Sequence, residues 1–297
     1  MLNIFWYFFI YAFLGWCIEV IYAAVKIGKF VNRGFLNGPY CPIYGVGVLL
    51  VLYLLNPVKD NLLYMFLGSV LITSTIELMV GFLLLKFFHK KWWDYSDRPF
   101  NIGGYICLMF SFAWGLACLV VVDRIHPLIS SFSNWIPQTA SKVLLIILAC
   151  LMIVDFISTV KSILKLKNRL EIIEEISLKI RETSEFIGEN LATAAIDIVQ
   201  KMDDLEERYE ATKELFEDDI AEMINAQQKL LSDLHNTKRE LLEAAHFGHK
   251  RLLKAFPGLK SIDHNDALDK LRDTLLNGWS ASNDTELNRD RNKGRRT

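Results

Sequence analysis

The chain has 297 residues, is 52% hydrophobic and carries a formal net charge of −1, a balance that gives no indication of a nucleic-acid partner. Its charge is unevenly distributed, because residues 1–160 hold only ten of the 33 Lys/Arg and seven of the 34 Asp/Glu. All five cysteines lie in this apolar half and form no CxxC pair, so we expect neither a disulfide framework nor a metal site. The composition therefore predicts an apolar region followed by a charged one.

Five apolar runs in the first region approach or exceed the length of about 20 residues that a helix needs to cross a bilayer. They lie near residues 3–25, 38–55, 62–86, 104–122 and 141–160. The second run is the least regular, because Pro39 and Pro42 near its start fit the first turn of a helix or a short re-entrant segment. We predict an all-α, polytopic membrane protein with about five transmembrane helices in a bundle over residues 1–160.

The basic residues indicate an orientation, because short positively charged loops are retained in the cytoplasm. Lys and Arg are concentrated after the first, third and fifth runs, for example at Arg33, Lys90 and Lys165. This distribution predicts a multi-pass protein of the plasma membrane, with its N-terminus outside and its C-terminus in the cytoplasm.

Three carboxylates, Glu19, Glu77 and Asp155, lie inside the apolar runs. An ionisable group at membrane depth costs at least a few kcal/mol and normally faces a bundle interior or a wet cavity. All three fall in the predicted cytoplasmic half of the bilayer, so we expect a polar vestibule open to the cytoplasm. The alternative is that each carboxylate only snorkels or hydrogen-bonds a neighbouring helix to fix packing. We favour this interpretation for Asp155, which lies close enough to the interface to be solvated.

The two predicted cytoplasmic loops, residues 29–45 and 89–103, mix aromatic, basic, amide and Gly/Pro residues, as folded loops at an interface or an entrance do. Arg33 and Arg98 lie on the same side as Glu19 and Glu77. Ion pairs between them would hold the loops over the vestibule, or both arginines would meet lipid phosphates. The candidate ligand-binding or vestibule residues are Glu19, Glu77, Arg33, Asn37, Asp94, Asp97, Arg98 and Asn101.

The same loops carry a resemblance to a known family. The matching residues are Gly15-Trp16 with Glu19, Asn32-Arg33-Gly34-Phe35, Gly38-Pro39, Cys41-Pro42-Ile43-Tyr44-Gly45, Glu77, Trp92-Trp93-Asp94-Tyr95-Ser96, Pro99-Phe100-Asn101, Ser111 and Trp114-Gly115. Over roughly residues 1–125 the chain resembles the CmpB-like membrane proteins described as ABC-transporter type IV. The resemblance implies a permease-like role in a bacterial plasma membrane. Trp92, Trp93 and Tyr95 are expected to be interfacial anchors rather than a binding cage.

An ATPase subunit would need a glycine-rich phosphate loop that ends in Gly-Lys-Ser/Thr. The sequence contains none, since Gly28-Lys29 is followed by Phe30. If ATP drives the protein, we expect a separate ATPase subunit as partner, beside the lipid bilayer itself.

The charged region, residues 161–250, is predicted to form a cytoplasmic coiled coil. Its heptad positions are Ile163, Leu166, Leu170, Ile173, Ile180, Ile187, Leu191 and Ile198, and after a slip the series resumes at Leu205 and continues to Leu241. Such a seam predicts a parallel homodimer, which we favour, or an antiparallel hairpin within one chain. His246 and His249 are expected to be solvated, and residues 251–297 to form a short helix and a disordered tail.

Two functions follow from these features. The first is a permease-like transport component, whose acidic vestibule would favour a cation, a protonated amine or a proton-coupled substrate as cargo. The second is a membrane-anchored scaffold or sensor that oligomerises and recruits partners through its coiled coil. We expect no enzyme activity, no catalytic residues and no cofactor, because HExxH and GxSxG motifs are missing from the sequence.

Overall fold

The computed structural model describes residues 2–202, 209–244 and 247–276, the side chains of 194–195, 197–202, 209–223 and 247 excepted. Its helices are α1 (Leu2–Ile27), α2 (Pro42–Leu54), α3 (Leu62–Phe88), α4 (Leu108–Val120), α5 (His126–Trp135), α6 (Gln138–Met202), α7 (Tyr209–Glu243) and α8 (Phe247–Ala255). The strands are β1 (Lys90–Lys91), β2 (Asn101–Ile102), β3 (Ile106–Cys107) and β4 (Lys260–Ser261). A further helical run covers residues 265–276. The prediction of an all-α, polytopic membrane fold is confirmed.

Within the described residues, four helical segments are long and apolar enough to cross a bilayer. They are Leu2–Ile27, Leu62–Phe88, Leu108–Trp135 and the apolar part of Gln138–Thr193. The third segment joins α4 to α5 through a five-residue π-helical turn at Val121–Ile125, so it extends well beyond the predicted end near residue 122.

Helix α2 is shorter than the run predicted over residues 38–55. It has 13 residues, about 20 Å at 1.5 Å per residue, against a hydrocarbon core of about 30 Å. The helix begins at Pro42, because proline is accepted in the first turn and restricts the residue before it to extended backbone. Residues 28–41, which we call loop 1, are therefore non-helical.

Loop 1 returns from the end of α1 to its middle. The Cys41 backbone N–H donates to the Ala12 carbonyl at 2.8 Å, and a Cβ on Gly15 would overlap the Tyr44 side chain. Helix α2 then runs antiparallel to the first half of α1, since Gly45 packs against Phe8. Loop 1 thus places irregular backbone beside the centre of an apolar helix.

Helices α3 and α4 have the same arrangement: a loop returns from the end of the long helix to its centre, where the second helix begins. Helix α3 is capped at its start by Asn61, whose side chain accepts from two backbone N–H groups, and it ends at His89 in the left-handed conformation (φ 54°). Residues 89–107, which we call loop 2, contain the β2–β3 hairpin. Ser74 in the middle of α3 donates to Ser111 at 2.8 Å, so α4 also begins beside the centre of a long helix.

The chain divides into two compact units, Met1–Leu166 with His246–Asn265, and Lys167–Ala245 with Asp266–Thr297. Helix α6 is continuous across the predicted boundary at residue 160. In the second unit, the Arg169 Nε–H donates to the Leu241 carbonyl at 2.8 Å, near the end of α7. That contact favours the antiparallel hairpin, which was the less preferred of the two predicted arrangements.

Part of the predicted heptad seam is covered within a single chain. The fully buried seam residues are Ile163, Leu166, Leu170 and Ile173. Further along, Ile180 and Ile187 are half-buried and Leu191 is exposed, whereas the side chains between Ile198 and Phe216 lie outside the described residues. The first turns of the seam therefore do not need a second copy for burial.

The first unit also contains residues from the far end of the chain. Strand β4 pairs antiparallel with β1, with Lys90 opposite Ser261 and Lys91 opposite Lys260. The expectation that His249 is solvated is wrong: it is 1% exposed, with Nε2 3.1 Å from the Ser162 carbonyl, because the apolar face of α8 packs inward. His246 and the predicted tail beyond residue 276 lie outside the described residues.

Candidate functional site

Glu19 on α1 receives partners from loop 1 and α2. The Tyr44 hydroxyl donates to Glu19 Oε1 at 2.7 Å, and Arg33 Nε lies 3.3 Å from Glu19 Oε2. The Arg33 guanidinium also lies 5.2 Å from the centre of the Tyr22 ring, a cation–π distance. Arg33 thus adopts the ion-paired arrangement of the two that the sequence left open.

The Arg33–Glu19 contact is electrostatic rather than a well-aligned hydrogen bond. Arg33 Nε is buried and has no hydrogen-bond partner of good geometry among the described residues, although Glu19 lies within ion-pair distance. A pair held by charge alone tolerates small displacements better than a bidentate bond does.

Glu77 on α3 receives its partner from loop 2. Tyr95 lies beside its carboxylate and stacks on Phe110 with ring centres 5.0 Å apart. Burial, followed by the neighbouring Glu77 carboxylate, raises the pKa of Tyr95 well above its usual range, so the hydroxyl keeps its proton for donation. Glu77 Oε2 is buried, and no described residue hydrogen-bonds to it.

These residues form one group, which we call the carboxylate cluster: Glu19, Arg33, Tyr44, Glu77 and Tyr95. Glu19 interacts electrostatically with both Glu77 and Tyr95, so the two carboxylates belong to the same cluster. Trp114 of α4 packs edge-on against Tyr44 at 5.4 Å between ring centres. With both carboxylates ionised, one guanidinium leaves a formal excess of one negative charge, which a proton or a monovalent cation would neutralise.

Asn37 belongs to a different contact. Its backbone and side-chain N–H groups donate to Asp155 Oδ1 at 3.1 and 2.7 Å, while Gly38 N–H and Tyr40 O–H donate to Oδ2 at 2.7 and 2.9 Å. Asp155 on α6 therefore uses both oxygens to hold loop 1. Of the snorkelling and packing roles expected for Asp155, the contacts correspond to packing, and they place Asn37 in the support of the loop.

The remaining candidates in loop 2 lie in a turn. Asn101 donates to the Ser96 and Arg98 carbonyls at 3.2 and 2.7 Å and accepts from Gly104 N–H, while the Arg98 N–H donates to the Tyr95 carbonyl. The described contacts contain no ion pair between Arg98 and Glu77. The structure therefore gives Asn101 and the Arg98 backbone a part in shaping the loop that carries Tyr95.

Asp94 and Asp97 lie near a residue from the far end of the chain. Lys260 Nζ donates to Asp94 Oδ2 at 2.7 Å, and Ser96 donates to Oδ1. Burial acts to raise the pKa of Asp94, but the hydrogen bonds from Lys260 and Ser96 outweigh it and hold that pKa well below its usual range. Asp97 interacts electrostatically with the same lysine.

The expectation that Trp92 is an interfacial anchor is wrong. Trp92 is only 4% exposed, because it packs against Phe35 of loop 1, Phe88 of α3 and Phe256, which follows α8. Trp93 donates its indole N–H to the Tyr105 carbonyl at 2.8 Å. The Trp92–Phe35 contact joins the two loops to each other, whereas the Trp93–Tyr105 bond lies within loop 2.

Sequence reasoning missed several residues of the site. Tyr44 and Tyr95 lie in the family-like motifs, but all eight residues predicted for the site are charged or amide residues. Arg251 was also missed: its guanidinium donates to the carbonyls of Gly34, Phe35 and Leu36 at 2.8, 2.9 and 3.0 Å. Its position in the sequence, more than 200 residues after the loop, gave no signal of this contact.

Four long apolar helical segments, two of which carry Glu19 and Glu77, define a polytopic membrane protein. A family model described as "Putative ABC-transporter type IV" matches residues 6–160, slightly more than half of the chain, and the protein belongs to this family. The match contains the whole carboxylate cluster, both loops and Asp155. No curated protein and no solved structure matches the chain.

Proposed function

We propose that the protein is a permease-like membrane transport component, in which the carboxylate cluster lines a polar vestibule open to the cytoplasm and binds a cation or a proton. One observation carries this proposal: each of two loops leaves the end of a long helix, returns beside the helix centre and brings a partner to a carboxylate, Arg33 to Glu19 and Tyr95 to Glu77. Irregular backbone at membrane depth is tolerated only where protein buries it or where it lines a cavity.

The charge balance supports a cationic cargo. Arg33 compensates one carboxylate, while Glu77 has only the neutral Tyr95 beside it and keeps one buried oxygen without a partner among the described residues. An unpaired buried acceptor is costly, so a bound proton, a monovalent cation or a protonated amine would relieve that cost. The cytoplasmic side is proposed from the Lys and Arg distribution, and a separate ATPase subunit is proposed as the partner if ATP supplies the energy.

The test uses the purified full-length chain and a panel of sodium, potassium and ethylammonium chlorides at constant ionic strength. A ligand at 100 times its Kd stabilises by about 2.7 kcal/mol, which raises the unfolding temperature by several degrees. We expect one member of the panel, or acidification alone, to raise the unfolding temperature of the wild type, and Glu77→Gln to abolish that response.

The matched control is Asp123→Asn, which removes an exposed carboxylate that pairs with Arg124 at 2.7 Å away from the carboxylate cluster. This variant should respond as the wild type does. If the response survives unchanged in folded Glu77→Gln, the binding role of the cluster is refuted.

A second candidate function is favoured by the length of α6. Its 65 residues extend about 98 Å at 1.5 Å per residue, roughly three times the hydrocarbon core. A transport role alone does not explain this extension, so we propose that it recruits a partner or a second copy of the chain through the incompletely buried seam at Ile180, Ile187 and Leu191. The homodimer predicted from the heptads belongs to this proposal.

Light scattering of the detergent-solubilised full chain tests the second candidate. A dimer mass that falls to a monomer mass in the double variant Ile187→Glu/Leu191→Glu would support association through the seam. If the wild type is a monomer at all concentrations, the seam does not join two copies of the chain and the hairpin forms within a single chain.

A further inference from the structure

The segment 247–261, which we call the latch, holds loop 1 at one point. Arg251 directs its guanidinium at three consecutive backbone carbonyls, Gly34, Phe35 and Leu36, at 2.8 to 3.0 Å. These three residues directly follow Arg33, the loop residue that pairs with Glu19. A displacement of Arg33 away from Glu19 therefore strains or breaks the Arg251 contacts.

The latch holds loop 2 in the same manner. Strand β4 pairs with β1 at the start of the loop, and Lys260 donates to Asp94 at 2.7 Å. Asp94 directly precedes Tyr95, the loop residue that lies beside Glu77. Each loop is thus fixed at a position next to the residue that reaches a carboxylate.

Between these two points the latch covers an apolar surface. Phe256 packs edge-on against Trp92 at 6.4 Å between ring centres, and Trp92 in turn contacts Phe35 of loop 1. Leu252, Leu253 and Leu259 of the latch are at most 2% exposed. The latch, loop 1 and loop 2 therefore share one packed layer, so movement of the latch affects both loops together.

We propose that residues 247–261 are an autoinhibitory latch that closes both loops over the carboxylate cluster, and that its release opens the cluster to water and cargo. This inference rests on the proposed function, because it concerns access to the same site. The segment is joined to the loops by hydrogen bonds and an apolar layer, and to α6 by His249, whose Nε2 lies 3.1 Å from the Ser162 carbonyl. Its release as a unit breaks all of these contacts.

Cys41 is a natural reporter of the closed state. It ends loop 1, is 6% exposed, and its thiol interacts with the backbone N–H of Phe35, whose carbonyl Arg251 holds. Its charge environment includes both Glu19 and Arg33, so it lies beside the carboxylate cluster. A water-soluble maleimide should reach Cys41 only when loop 1 lifts.

The test measures the rate of Cys41 alkylation in the full-length chain with the other four cysteines replaced by alanine. We expect Arg251→Gln to raise the rate about tenfold or more, since labelling of a buried group follows the population of the open form. Lys260→Gln should raise it at least about threefold, because loop 2 moves with the same layer. Arg181→Gln, which removes an exposed helix-surface pair with Glu185, should leave the rate unchanged.

Each variant is first checked for a single elution peak and a cooperative unfolding transition. The Lys260 side chain is 58% exposed, so Lys260→Gln carries the test alone if Arg251→Gln does not fold. Alkylation no faster in the folded latch variants than in Arg181→Gln would overturn the latch. The measurement needs no cargo, so its result is independent of whether Glu77→Gln abolishes the cation response.

Discussion

Removing the charge of Asp155 tests whether this carboxylate is the anchor of loop 1. Asp155 accepts four hydrogen bonds from Asn37, Gly38 and Tyr40 at 2.7 to 3.1 Å. In Asp155→Asn one oxygen becomes an NH₂ group, so either the Asn37 pair or the Gly38–Tyr40 pair of donors faces another donor. Bonds to a charged group contribute about 1.5–3 kcal/mol each and neutral ones about 1 kcal/mol.

Losing two bonds (about 3–6 kcal/mol) and weakening two others (about 1–4 kcal/mol) predicts a destabilisation of at least about 4 kcal/mol, or roughly 10 °C in unfolding temperature. The comparison variant is Thr159→Val. It removes a hydroxyl that accepts from the Asn37 side chain at 3.0 Å and donates to Asp155 Oδ1 over a longer 3.4 Å, and it should cost about 1 kcal/mol. Thermal unfolding gives the difference, and hydrogen exchange at the Asn37 and Gly38 amides localises it. Equal shifts in the two variants, with both amides still protected, would refute the anchoring role.

Three further predictions concern other contacts. Gly15→Ala places a methyl group against Tyr44 and should destabilise by about 1–3 kcal/mol, whereas Gly188→Ala, with open space around it, should stabilise by up to about 1 kcal/mol; thermal unfolding of both measures the contrast. The pKa of Asp94 is depressed in the folded protein, so its contact with Lys260 stabilises the fold above pH about 4 and is lost as the pH falls further. Between pH 5 and pH 3, the unfolding temperature of Lys260→Gln should therefore fall less than that of the wild type. Arg169→Gln should weaken the α6–α7 contact by about 1.5–3 kcal/mol. The control Arg181→Gln, which removes an exposed pair with Glu185, should cost at most about 0.5 kcal/mol. An equal effect of both variants on helix melting would contradict the hairpin.

The apolar runs predicted the membrane helices well, because burial in lipid imposes length and composition on every span. Hydropathy predicted too long a second helix, because residues 38–41 are apolar enough to continue the run although they are not helical. Hydropathy reports which residues tolerate lipid depth, whereas Pro39 and Pro42 decide where the helix starts. The prolines therefore indicate the extended backbone before Pro42, whereas the hydropathy does not.

The candidate site was predicted in part. Glu19, Glu77 and Arg33 were found because charge inside an apolar run is visible in one sequence. Tyr44 and Tyr95 carry no such signal, because tyrosine is common at membrane interfaces without binding anything. Contacts of Arg251 and Lys260 with the loops are set by the return of the chain after two long helices, and local periodicity holds no information about that return.

The distribution of polar contacts separates residues that build the loops from residues that remain for a ligand. Buried backbone groups outside helices and strands need partners, and loop 1 finds them in Asp155 for its N–H groups and in Arg251 for its carbonyls. Loop 2 uses Asn101 in the same way. Because these polar side chains are engaged in holding backbone, their charge or amide groups are not available for a cargo. Glu77, with a buried oxygen that no described residue satisfies, is not engaged in this way, and it is therefore the residue at which a cation or proton would gain the most.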